Sequence, residues 1–319
     1  MLQYSLILFS ACQLMSLAVI NSSHYQPLTQ QPEIVKQQKF EEGVLYTRIS
    51  FPGNILNEQL SKIDFQKGNI TEQLKAWQEL SNSKAYADKI TTRLNAMTAE
   101  ERACMGSMVM ATMMSPLYAK IYYTPGKVLA KAQAMNYTLE SFMNTKHGKG
   151  KMVVIANNKS TQAAIVFSAD NMRKVWEKEA IDIEQYDMKH LPEQEKIAGY
   201  LCKKIVYTYK DKKGNVVSTF GKKATKVTVW YNADIPDEIN FLHPFYFQLD
   251  KGILKIEVHY DKMGMFRMLY EVTGMESKPL SEKDFLMSTV EPVVDWDANP
   301  LKASMSILNA MMGSTTNED

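Results

Sequence analysis

Cysteine is scarce in this 319-residue chain, with three in all, at positions 12, 104 and 202. No two of them form a C-x-x-C, and the five His (24, 147, 190, 243 and 259) are dispersed. The spacing therefore specifies neither a disulfide framework nor a structural zinc centre. With 14 Gly and 11 Pro, the chain has none of the bias of a collagen-like or low-complexity protein. A surplus of one charge is also missing. The 37 basic and 35 acidic side chains leave +2, without the basic footprint of a dedicated nucleic-acid binder. Catalytic motifs are absent as well: there is no Gly-x-Ser-x-Gly elbow, no P-loop and no His-Glu-x-x-His. These absences set the expectation of a non-enzyme that takes no cofactor, no metal and no nucleic acid.

Charge is also missing locally. Glu33 is the first charged side chain, and residues 6–20 are mainly apolar. As a helix that run rises about 22 Å, short of the roughly 30 Å hydrocarbon core of a bilayer. We read residues 1–23 as a secretory signal peptide and 24–39 as a polar leader, which directs the chain to the periplasm or outside the cell. Phe9, Ser10, Ala11 and Cys12 loosely suggest a lipoprotein cleavage site, although the apolar run continues past Cys12. Once a signal is removed, Cys104 and Cys202 remain, either to bridge or to sit as small buried hydrophobes. Asn21, Asn69, Asn136 and Asn158 begin N-x-Ser/Thr triplets, which matter only in a eukaryotic secretory route.

What is present is a change of period. Residues 42–50 read as a strand, broken at Pro52 and Gly53. Residues 55–116 are rich in helix formers, with helices expected at 83–97 and 99–114. Thr98 to Glu101 supplies a capping box for the second, and Pro116 stops it. From Leu117 onward period two dominates, with strands expected at 127–134, 151–156, 161–167, 201–209, 216–220, 224–231 and 254–260. Another follows at Phe266, Met268, Tyr270 and Val272, after a turn at 261–264. A hairpin connection is expected at 211–215, a short helix at 171–179 and an amphipathic helix at 300–313. The fold class is mainly β (α+β): one large antiparallel sheet, one face of which needs cover that the helices can supply. We expect a single domain over 40–295 with a helical insertion at about 55–116. A C-terminal helix and disordered tail follow at 296–319.

Methionine is over-represented, at 21 residues. Met97, Met105, Met108, Met110, Met113 and Met114 fall in and beside one expected helix. Taking Met105 as zero, the last four lie at about 300°, 140°, 80° and 180°. Apolar surface then runs most of the way round, as in a helix buried on several sides. Three readings stay open: a core helix, a pliable apolar cavity, or soft ligands for Cu(I). Opposite this helix, Ala130, Ala132 and Ala134 form an inward row with Val128. Its small side chains permit either a closely packed helix or room for an acyl chain. Asp234, Asp237 and Glu238 around Pro236 read as a solvated turn, and Asp182, Glu184 and Asp187 as a solvated edge. His243 and His259 read as unpartnered.

Residues 196–204 (Lys196, Ile197, Ala198, Gly199, Tyr200, Leu201, Cys202, Lys203, Lys204) resemble the I-A-G-Y-x-C-K-K strand of secreted Bacteroidota families of unknown function. One of these is the family named for its GLPGLI motif. Val227 to Tyr231, followed by Ile235 and Pro236, resembles their V-x-x-W-Y strand and I-P turn. Residues 252–256 correspond to the next strand. Leu249, Asp250 and Lys251 replace the Gly-Leu-Pro, which points to a neighbouring family sharing these landmarks over roughly residues 118–275. Those families are similar to the LolA-like group, and the resemblance implies an antiparallel half-barrel with helices over its concave face. It also implies a bacterial envelope protein that binds a lipid or lipoprotein acyl chain, and it supplies no catalytic residue. The expected ligand-binding residues are Met108, Met110, Met113 and Met114, facing Ala130, Ala132 and Ala134. The rival expectation is an envelope structural or interaction protein, its half-barrel filled by its own side chains.

Overall fold

The computed structural model describes residues 39–53, 55, 60, 62–64, 70–171, 183–210, 224–242, 249–260 and 267–312. The leader, the expected hairpin at 211–215, the strand at 216–220, the turn at 261–264, His243, most of the helix at 171–179 and the C-terminal tail lie outside them.

Among the described residues twelve strands form one sheet: β1 (Gly43–Ser50), β2 (Tyr118–Thr124), β3 (Lys127–Gln133), β4 (Tyr137–Asn144), β5 (Lys149–Ala156), β6 (Gln162–Ser168), β7 (Tyr186–Ile197), β8 (Tyr200–Tyr209), β9 (Lys226–Asn232), β10 (Gly252–His259), β11 (Arg267–Ser277) and β12 (Val293–Asp295). Their order is β12-β6-β5-β4-β3-β2-β1-β11-β10-β9-β8-β7. Strand β1 sits mid-sheet because its two edges pair with β2 and β11, stitching two meanders together. The helical excursion leaves after β1 and returns beside it, where Ile49 N–H donates to Leu117 O at 2.9 Å. Eleven strands pair antiparallel, as expected. Only β12 departs, lying parallel to β6.

Curvature follows from the register. Extra residues interrupt the ladder between β1 and β11, between β10 and β9, and between β7 and β8. Such bulges bend and twist a strand. The 3-10 segment Asp237–Leu242 packs against both β3 and β10. Those strands stand four places apart, about 19 Å on a flat sheet. Six residues of 3-10 helix span only about 12 Å. A curled sheet brings both strands within reach of one short segment.

The helices are α1 (Ile70–Ser81), α2 (Lys84–Asn95), α3 (Ala99–Met114) and α4 (Pro300–Met312). The expected capping box of α3 is present: Glu101 N–H donates to Thr98 Oγ1 at 3.2 Å, and Thr98 N–H donates to Glu101 Oε2 at 2.6 Å. In α4, Asn299 is the N-cap and Pro300 the first helical residue, a position where the missing N–H costs nothing. Residues 83–115 supply less of the cover than expected. Within α2 the buried residue is Tyr86, whereas α4 lies over β4, β5 and β6.

The chain reaches that position by wrapping the sheet edge. Residues 278–292 cross the convex face, where Lys127 Nζ meets Glu282 Oε1 at 2.6 Å and Phe285 stands edge-on to Phe142. Val290 then covers Val153 and Ala164. Strand β12 extends the edge, Trp296 is buried, and α4 descends onto the concave side.

The landmarks at 196–204 and 227–252 are turn and packing devices. Ala198 and Gly199 have φ of 47° and 94°, a two-residue type I′ turn that joins β7 to β8. A Cβ at Gly252 would overlap the Ile235 side chain, so the Ile-Pro turn docks where glycine leaves space. On the convex face, Trp230 is flanked by the Lys204 and Lys255 ammoniums at 5.0 and 4.5 Å from its ring.

Candidate functional site

The concave face is assembled by register. Ala130 on β3 lies between Ile121 on β2 and Ser141 on β4, and Ser141 in turn faces Met152 on β5. Two residues along, Ala132 lies between Ala119 and Leu139. Strand alternation turns all of these to one side. Ala130, Ala132 and Ala134 are at most 5% exposed, so the inward row is real and covered.

The cover has three pieces. First, α3 buries Met105, Met108, Ala111 and Thr112 on one side. Ile55 N–H donates to Met105 Sδ at 3.2 Å, and Tyr137 OH donates to Met114 O at 2.6 Å, tying the end of α3 to β4. Met108 joins the same buried cluster as the three alanines, with Met113 and Met114 half-buried against it. Met110 does not join them. It is 47% exposed, because its 140° position lies opposite the Met108 side of the helix. The expected burial of α3 on several sides is thereby corrected: its apolar surface is wider than the face the sheet can cover.

Second, α4 presents Ala303, Ser304, Ile307, Ala310 and Met311 inward. Small residues on both helix and sheet permit close approach. Third, the 3-10 segment is pinned across the opening. Ile253 N–H donates to Asn240 Oδ1 at 2.7 Å, and Asn240 Nδ2 donates to Lys251 O at 3.0 Å. Between α3 and β1 there is a small recess of about 10 Å³, lined by Ile49, Phe51, Leu60, Thr112 and Leu117 and rimmed by Arg48.

Several polar expectations need correction. Asp234 is exposed as expected, but Asp237 is half-buried and so is Glu238. Burial raises the pKa of Glu238 above the ordinary carboxylate range, and Asp237 adds repulsion while Tyr123 hydrogen-bonds to it. His259 is partnered: its Nε2 lies 3.2 Å from Glu257 Oε1, and Arg267 Nη1 approaches the same oxygen at 3.4 Å. These contacts, the His259 hydrogen bond first, hold the Glu257 carboxyl below its usual range. Cys202 carries a free, buried thiol rather than a bridge, and burial pushes its pKa up to about 12.

Sequence reasoning passed over one polar group on the concave face. Ser141 is 0% exposed, and its Oγ has no hydrogen-bond partner among the described residues. The alternation Tyr137, Leu139, Ser141, Met143 was the available signal, a hydroxyl among apolar inward positions. No group of three or more His, Cys, Asp or Glu suited to a metal occurs among the described residues. Nor is any helix there long and apolar enough to cross a membrane.

No family model matches the chain, and no curated protein sequence matches it. Among solved structures it is similar to PNGF-II, at 15% identity and TM-score 0.33, over 60% of this chain and 30% of that one. The chain therefore spans under a third of that protein's length. It is also similar to a β-barrel-like protein of a domain of unknown function (DUF1849) from Brucella abortus, at 7% identity and TM-score 0.20, over 51% and 83%. A third is described as an outer membrane lipoprotein-sorting protein domain, from Vibrio parahaemolyticus, at 14% identity and TM-score 0.16, over 50% and 82%. At such TM-scores the fold description rests on this chain's own strands.

Proposed function

We propose that this protein is a non-catalytic binder of a hydrophobic ligand, a lipid or lipoprotein acyl chain, in the cell envelope. One observation carries the reading. Met108, with Met113 and Met114 beside it, shares one buried cluster with the row Ala130, Ala132 and Ala134. Flexible thioethers thus form the cover over a concave wall of small side chains. Burying an acyl chain there contributes about 0.8 kcal/mol per methylene removed from water. The landmarks that resemble secreted Bacteroidota families, themselves similar to the LolA-like group, favour the same reading. Met110 has no part in it.

The test is native mass spectrometry of protein purified without detergent, followed by organic extraction and titration with a fluorescent fatty acid. A co-purifying lipid or saturable uptake supports the binder. A clean apo mass with no uptake overturns it.

A second reading, an envelope structural or interaction protein filled by its own side chains, is favoured by the near-zero exposure of the alanine row. It predicts the clean apo mass.

A further inference from the structure

Resting on the acyl-binding reading, we propose that Ser141 is the polar anchor of that site and selects a neutral acyl ester or amide over an ionised fatty acid. Ser141 lies on β4 with Ala130 and Met152 as its cross-strand neighbours. Its hydroxyl is fully buried and unpartnered among the described residues. Leaving a hydroxyl unpaired in an apolar setting is unfavourable, and native interiors seldom tolerate it without a role. The group that complements it has two parts: hydrocarbon for the alanine and methionine surface, and one hydrogen-bond acceptor opposite Oγ.

The acceptor must be neutral. Ala130 and Met152 are the cross-strand neighbours of Ser141, Leu139 and Ala132 lie one pleat along on this face, and all four are buried. A carboxylate there would be stripped of water with only one hydroxyl in compensation, which strongly disfavours the ionised form. An ester or amide carbonyl carries no such penalty. The cover of the site is apolar. Helix α4 lies over β4, β5 and β6, and its inward face is Ala303, Ile307, Ala310 and Met311. Packing of this kind is replaceable by an acyl chain of similar polarity.

The experiment titrates the full chain with the methyl ester of cis-parinaric acid and with cis-parinarate at pH 8, using heptadecane as a competitor for both. Wild-type protein should bind the ester at least about tenfold more tightly than the carboxylate. Ser141→Ala should weaken the ester by about tenfold, one buried hydrogen bond's worth, and leave heptadecane competition unchanged. Its thermal midpoint should equal or exceed wild type, since an unpaired hydroxyl is removed. Ser160→Ala is the control, an exposed turn residue outside the concave face whose hydroxyl already donates to Asn158 Oδ1 at 2.7 Å; its ester affinity should match wild type. If Ser141→Ala fails to fold, Ser141→Cys, a weaker donor, should still lower the ester affinity. Equal binding of ester and carboxylate, or an ester affinity indifferent to position 141, overturns the anchor while leaving the acyl-binding reading intact. Absence of binding by ester and hydrocarbon alike overturns both.

Discussion

The two ends of the sheet solve the same problem in opposite ways. At the β6 end both faces are covered: Val290 packs on Val153 and Ala164 from the convex side, and α4 covers the concave side. The edge itself is extended by β12. At the β7 end almost nothing is covered. Of twelve residues in β7 only Tyr186 and Ile197 are buried. Its outer edge has no paired strand among the described residues, so other features must discourage pairing with a second chain. Pro192 removes a donor, the register breaks between Leu191 and Glu195, and charges stud the strand. One end is protected by distant chain segments, the other by its own local chemistry.

Substitutions should therefore be costly at one end and cheap at the other. The largest effect is expected for Trp296→Ala, where a fully buried indole leaves a cavity. It should lower stability by about 3–5 kcal/mol, read as a shifted denaturant midpoint. Next comes Ala132→Leu on the covered concave face, where overpacking should cost about 1–3 kcal/mol by calorimetry. If Ala132→Leu is neutral, the interior is looser than its burial indicates, which sharpens the case for a ligand space. At the β7–β8 turn the sign reverses. Ala198 is a non-glycine residue at φ 47°, and Ala198→Asn should raise stability by about 1 kcal/mol in chemical denaturation. At the β7 edge, Pro192→Val should change stability by less than about 0.5 kcal/mol. It should nonetheless increase self-association in sedimentation velocity, because a donor is restored to a free edge.

Glu238 offers a test by pH. Its folded pKa is raised, so the unfolded chain releases this proton first and stability falls as pH rises from the unfolded value through the folded one. Glu238→Gln should lift the thermal midpoint above that window and leave it unchanged below. Glu257 has the opposite sign. Its folded pKa is lowered, so its contribution is present above the unfolded value and fades as pH falls through the folded one.

The elements that were legible carry local signals. Strand alternation placed Leu254, Ile256, Val258 and Tyr260 inward, and all four are buried. The capping box from Thr98 to Glu101 and the helix at 300–312 were equally plain. Strand β7 was not legible, because a strand exposed on both faces has no apolar alternation to read. The convex strap at 278–292 has no periodicity either, and its partners Glu42, Lys127 and Glu140 are distant in sequence. For the candidate site, the alanine row could be read from alternation alone. The exclusion of Met110 could not, since an apolar helix wheel says which residues are able to face inward and not how wide a face is covered.

Scarce cysteine, balanced charge and the switch to period two determined by themselves a mainly β chain with a helical insertion and a concave row of small side chains. Those properties depend on neighbours a few residues away. Tertiary structure alone decided that Cys202 stays a free thiol, that Lys127 meets Glu282, and that Ser141 is buried without a partner. Such outcomes depend on which segments the curled sheet brings together, and a pairing across a hundred residues leaves no periodic mark on either of them.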